Sequence, residues 1–187
     1  PMLPGNRVHV GSVTKTFIAV GILKLVSDGK LRLDDPVEPL LPAVRFGSEW
    51  AGTHPVRVRH LLDHTAGLED ARIWQVFSSR STPDQPLGEV FTRDPSVLEL
   101  RTPPGEVFSY SNMGYTLAAM IIEQVTGERY EHWLGRELLD PLGMKDSTFG
   151  FVSQQGPSGD PRLAWGHLGD GTLAAALPVA VRPSTQF

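Results

Sequence analysis

The sequence predicts a helix-rich fold that carries little of a sheet. Three observations predict it. From Ser12 onward, Phe17, Ile18, Ile22, Leu25 and Val26 recur at helical spacing. From Asn112 to Thr126 the same spacing returns, with Leu117, Met120, Ile121 and Val125 on one side. Runs that alternate with the period of a strand are few.

Taken in order, residues 7–10 (Arg-Val-His-Val) are expected to form a short strand ending at Gly11. Ser12 suits the start of the first helix and Gly29 its stop. Residues 31–36 then read as a short extended turn into a loop. Val56 to Leu62 reads as a strand or a helix entry, ending at Thr65-Ala-Gly67. Residues 78–96 are rich in Ser, Pro, Asp and Gly and are expected to be a surface loop or lid. Pro103-Pro-Gly105 is a turn. The second helix, Asn112–Thr126, ends before Gly127, and a third runs from Tyr130 to Leu139, closed by Pro141-Leu-Gly143. Beyond Phe149 the chain reads as irregular. No repeat or low-complexity block interrupts it.

Composition bounds the function. At 187 residues the chain fits one domain with a real core, and 40% apolar with 20% charged residues is ordinary for a soluble globular protein. The net charge is -4 with no Lys/Arg run, so nucleic acid is not an expected partner. There is no cysteine, which excludes disulfides and thiol catalysis. No segment reaches the ~20 apolar residues of a membrane span. The best run, Phe17 to Val26, is too short and contains Lys24. No signal peptide is visible in the chain, and compartment and oligomeric state stay open.

The chemistry lies in two short motifs. Ser12-Val-Thr-Lys15 places a serine and a lysine one helical turn apart on one face. With 13 Ser and 4 Lys, such a pair is expected about 0.3 times by chance, and it occurs twice. The second match, Ser27 to Lys30, straddles the helix-stopping Gly29 and is accidental. Tyr110-Ser-Asn112, just after the Pro-Pro-Gly turn, supplies a phenol and an amide. A serine hydroxyl is a poor nucleophile until a base takes its proton. Lys15 or Tyr110 could serve, and a nearby ammonium would favour the Tyr110 phenolate. The Ser12 N–H at the helix start can donate to an oxyanion, and Asn112 to a substrate carbonyl. The plainer readings are an N-cap serine, a solvated lysine, a core tyrosine and a capping asparagine.

Longer strings decide between them. Gly11-Ser-Val-Thr-Lys-Thr-Phe17, His60-Leu-Leu-Asp-His-Thr-Ala-Gly-Leu68, Pro103-Pro-Gly-Glu-Val-Phe-Ser-Tyr-Ser-Asn-Met-Gly-Tyr115 and Pro141-Leu-Gly-Met-Lys-Asp-Ser-Thr148 follow one another in order. They resemble successive blocks of the serine beta-lactamase-related family, which includes class C beta-lactamases, D-Ala-D-Ala carboxypeptidases, D-aminopeptidases and beta-lactamase-like esterases. The resemblance implies an α+β beta-lactamase/transpeptidase-like fold, an antiparallel sheet flanked by helices. This chain would cover mainly the helical region and only part of the sheet. It implies Ser12 as the acylated nucleophile, Lys15 as its partner in proton transfer, Tyr110 as general base and acid, and Asn112 as a substrate-orienting residue. The implied partner is a small-molecule or peptide substrate bearing an ester or amide, with no cofactor and no metal.

The family's third motif, Lys/His-x-Gly on a strand facing the nucleophile, is not assigned. His167-Leu-Gly169 matches its letters but follows Asn112 by only 55 residues, in a Gly-rich segment without a strand pattern. The chain therefore reads as 1–187 of a single partial domain, expected to be poorly active alone. Three rivals stand beside this reading. One is a non-catalytic penicillin-recognising relative. Another is a zinc hydrolase using His60 and His64, spaced i and i+4 as in an inverted zinc motif with Asp in place of Glu. A third rival, a Ser-His-Asp hydrolase, is suggested by the six histidines, but no Gly-x-Ser-x-Gly elbow is present, which disfavours an α/β-hydrolase.

Overall fold

The computed structural model describes residues 2–50, 52–70, 85–150, 152–154 and 159–174. Its centre is a pair of long helices, α1 (Thr14–Ser27) and α5 (Asn112–Thr126), packed on each other. Between them in sequence come α2 (Val37–Leu40), α3 (Val58–Leu62) and α4 (Glu89–Arg93). After α5 come α6 (Tyr130–Leu134) and then a two-stranded antiparallel sheet, β1 (Gly166–His167) with β2 (Leu173–Ala174). Helix α5 also packs on α3 and α6.

The helical spacing read from the sequence is the spacing that is buried. Ile18, Ile22 and Leu25 of α1 meet Met113, Leu117, Ile121 and Ile122 of α5 and Leu134 of α6 in one apolar cluster, and none of them is exposed. Each such side chain contributes about 1.5–3 kcal/mol on leaving water. Gly21 lets α1 approach this closely. A Cβ there would lie 2.5 Å from Leu134 Cδ2 and 3.2 Å from Ile122 Cδ1 and Trp133 Cζ3. Helix α5 begins as expected at Asn112, because Ser111 caps it by accepting the Gly114 N–H at 3.3 Å.

Several expectations are corrected. Residues 7–10 form no strand, only a single parallel bridge between Arg7 and Leu163. An ion pair of Arg7 with Asp160 at 2.9 Å adds to that bridge in holding the segment. The third helix divides: α6 gives way at Gly135 to a wider π turn over Gly135–Leu139. Within the segment expected as a loop or lid, residues 85–96 carry α4 and the start of a 3-10 turn, Pro95–Leu98. Asp94 caps that turn, and Phe91, Val97 and Leu98 bury their side chains, which anchors the segment. Residues 78–84 lie outside the described residues. His167, expected in a segment without strand character, stands in β1.

Candidate active site

The packing of α1 against α5 brings two helix starts together. Ser12 occupies a 3-10 turn, Gly11–Val13, directly before α1, and Lys15 is the second residue of that helix. Across from them, Ser111 is extended (φ −138°, ψ 123°). An extended residue sends its two neighbours to the same side, so Tyr110 and Asn112 both project toward α1 while Ser111 turns inward and is buried.

The opening of α5 is held in place by a second loop. Ser109 N–H donates to the His64 carbonyl at 2.8 Å, Gly105 N–H to the Thr65 carbonyl at 2.8 Å, and Arg101 N–H to the Gly67 carbonyl at 2.8 Å. Gly67 has φ +79°, and a Cβ there would collide with the Thr102 carbonyl. A glycine is therefore required. The blocks 60–68 and 103–115, separate in sequence, are one stitched surface beneath the site.

All four residues singled out in the sequence converge. Tyr110 OH donates to Ser12 Oγ at 2.8 Å, and Lys15 Nζ donates to the same oxygen at 3.1 Å. Lys15 Nζ also donates to Asn112 Oδ1 at 2.6 Å and lies 5.0 Å from the centre of the Tyr110 ring. Lys15 is buried, whereas Ser12 is exposed and Tyr110 is 42% exposed. The hydroxyl thus stands at the surface with its cation beneath it. Burial raises the Tyr110 phenol, but its bonds with Lys15 and Ser12 and the Lys15 charge outweigh that. The net shift is below the ordinary tyrosine value of 10.0.

Two further residues shape the site without having been read from the sequence in this role. Asp70 accepts the Asn112 backbone N–H at 2.8 Å and its Nδ2 at 2.9 Å. His64 stacks on Tyr110 with ring centres 4.4 Å apart. Its Nδ1 accepts the Ser111 N–H at 3.2 Å, which puts the proton of the neutral ring on Nε2. Burial and then the Lys15 charge lower the His64 imidazole, against the opposing pull of Asp63 and Asp70, which favours the neutral ring beside Tyr110. Asp70 is separated from Asn112 by 42 residues and belongs to no spacing that flags it.

The two histidines of the zinc rival are engaged otherwise. His60 is buried with Nδ1 accepting the Arg57 N–H at 3.2 Å, and burial is the main cause lowering its imidazole. Each histidine therefore spends one ring nitrogen on a backbone amide. Among the described residues no group of three or more His, Asp or Glu side chains gathers in a metal-binding arrangement.

Comparison with known proteins agrees with the motifs. The family model described as Beta-lactamase matches residues 1–185. The curated "Protein flp" of Staphylococcus aureus (strain MW2) is 32% identical over 148 residues, covering 78% of this chain and 28% of its own length. The octameric penicillin-binding protein homologue from Pyrococcus abyssi is 31% identical with a TM-score of 0.70, covering 93% of this chain and 40% of its own. The D-amino acid amidase from Ochrobactrum anthropi SV3 is 29% identical with a TM-score of 0.68, over 100% of this chain and 50% of its own. The chain belongs to the beta-lactamase family, a family of serine hydrolase type, and carries part of its α+β fold. It spans well under two thirds of the length of these relatives.

Proposed function

We propose that the chain carries the acyl-transfer site of a serine hydrolase that cleaves an ester or amide through a covalent acyl-Ser12 intermediate. The observation that carries this reading is the pair of hydrogen bonds on Ser12 Oγ, from Tyr110 OH and Lys15 Nζ. An oxygen that accepts both has a proton-transfer partner and a cation within reach before any substrate arrives.

In this reading Tyr110 gives up its proton and acts as the phenolate, a form favoured by the greater acidity that Lys15 and Ser12 confer on it. Ser12 Oγ attacks the substrate carbonyl carbon and its proton passes to Tyr110. The Ser12 N–H, at the start of the helical turn, donates to the developing oxyanion. Collapse expels an alcohol or amine, which takes the proton from Tyr110. Water then attacks the acyl-serine with Tyr110 again receiving the proton, and Ser12 leaves with it. Lys15 donates to Ser12 Oγ in the free site and stabilises the phenolate whenever Tyr110 is without its proton. Asn112 orients the substrate.

The substrate class is a carboxylic ester, a D-amino-acid amide or peptide, or a beta-lactam. Similarity to a D-amino acid amidase supports the second of these. The test is turnover of an activated ester, a D-amino-acid amide and a penicillin by the full-length protein and by Ser12→Ala. Turnover of at least one substrate, abolished in Ser12→Ala, is expected. Equal rates in the two proteins would refute the scheme, and acylation by penicillin without release would assign the non-catalytic, penicillin-recognising role instead.

A further inference from the structure

We propose that Asp70 is a positioning residue that sets the orientation of the Asn112 amide and, through it, of Lys15. This rests on the reading of Ser12 as nucleophile and adds a fifth residue to its site. A carboxylate only accepts hydrogen bonds, so the Asn112 Nδ2 must face Asp70 Oδ2, at 2.9 Å. The Asn112 carbonyl oxygen is thereby turned to Lys15 Nζ, 2.6 Å away. If the amide rotated by half a turn, its NH2 would face the Lys15 ammonium and its oxygen the Asp70 carboxylate. Two charge-assisted bonds would become two repulsions.

The second oxygen of Asp70 binds the Asn112 main-chain N–H at 2.8 Å, so one side chain fixes both the amide and the first turn of α5. The chain of donors then runs without a break: Asn112 to Asp70, and Lys15 to both Asn112 and Ser12. Lys15 is buried and has to satisfy its donors locally. Asn112 Oδ1 is the acceptor that holds it beneath Ser12. One N–H of Asn112 Nδ2 is committed to Asp70, which leaves the other for a substrate carbonyl.

The arrangement can be tested by exchanging its polarity. In Asp70→Asn, residue 70 keeps an oxygen for the main-chain N–H but presents an NH2 to the Asn112 NH2. In Asn112→Asp, two carboxylates face each other. The double variant D70N/N112D restores a donor at 70 and acceptors at 112 toward both partners, at unchanged net charge. Fluorophosphonate labelling of the full-length protein is followed by intact mass across probe concentrations, alongside thermal melting. Each single variant is expected to lose roughly 10- to 100-fold in the limiting labelling rate, with the half-saturating probe concentration little changed. The double variant is expected to recover most of the loss in both rate and melting temperature. Single variants that label within about threefold of wild type, or a double variant whose losses simply add, would overturn the proposal. A wild type that takes up no probe defeats the acyl-serine reading alone. The Asp70 assignment then stands or falls on whether the double variant recovers the melting temperature that each single variant loses.

Discussion

Tyr110→Phe separates chemistry from stability more cleanly than any other change at this site. It removes one oxygen, the one that donates to Ser12 Oγ at 2.8 Å. It keeps the ring, which stacks on His64 at 4.4 Å. The side chain is 42% exposed, and Ser12 Oγ keeps its bond from Lys15 at 3.1 Å, so no buried polar atom is stranded. The stability cost is therefore that of one half-exposed hydrogen bond, about 0.5–1 kcal/mol, with a fall in melting temperature of only about 1–4 °C for a chain of this size. The rate cost is of another order. Loss of a positioned general base costs about 10²–10⁴-fold, or about 3–5 kcal/mol of transition-state stabilisation. The assay is the limiting rate of Ser12 acylation by an activated ester, measured against pH. Wild type should accelerate as pH rises, with its midpoint below the ordinary tyrosine value because the phenol is made more acidic by Lys15 and Ser12. Tyr110→Phe should lose that limb. A folded Tyr110→Phe protein that acylates within about threefold of wild type would refute the assignment of Tyr110 as base.

Other outcomes follow from the same geometry. Lys15→Ala should cost acylation about as much as Tyr110→Phe, and the double variant little more, because the pair acts as a unit; rates that multiply would contradict this. Gly21→Leu drives a side chain into Leu134, Ile122 and Trp133 and should lower stability by about 1–3 kcal/mol despite the better helix propensity of leucine, seen as a lower urea midpoint. An unchanged midpoint would mean that α1 and α6 are less tightly packed than described. His60 and His64 are both held below the ordinary histidine value of 6.5 in the folded state. The unfolded chain takes up their protons as pH falls through about 6.5 while the native state resists, so stability should decline from there downward. A urea midpoint that is flat between about pH 7.5 and 5.5 would contradict it.

Local signals made the central helices and the four converging residues legible. Ser12 and Lys15 are neighbours by helical geometry alone, and Tyr110 and Asn112 by the extended residue between them. The bounds of α5 were readable because a cap, an apolar stripe and Gly127 agree. What escaped was set by distant contacts. Asp70 reaches Asn112 across 42 residues, a distance at which sequence spacing says nothing. Helix α4 was hidden because proline, serine and aspartate signal a helix start as well as a loop, and only the burial of Phe91, Val97 and Leu98 decides which. The strands β1 and β2 are two residues each, too short to display a period. The strand expected at 7–10 rested on two valines, Val8 and Val10, which are both exposed in the fold.

The most direct test of the central claim is the intact mass of the full-length protein after incubation with a fluorophosphonate and, separately, with a penicillin, beside Ser12→Ala. A single adduct that maps to Ser12 and is absent from Ser12→Ala is the expected result. An adduct that persists in folded Ser12→Ala, or no adduct with either reagent in a folded wild type, would contradict Ser12 as the nucleophile.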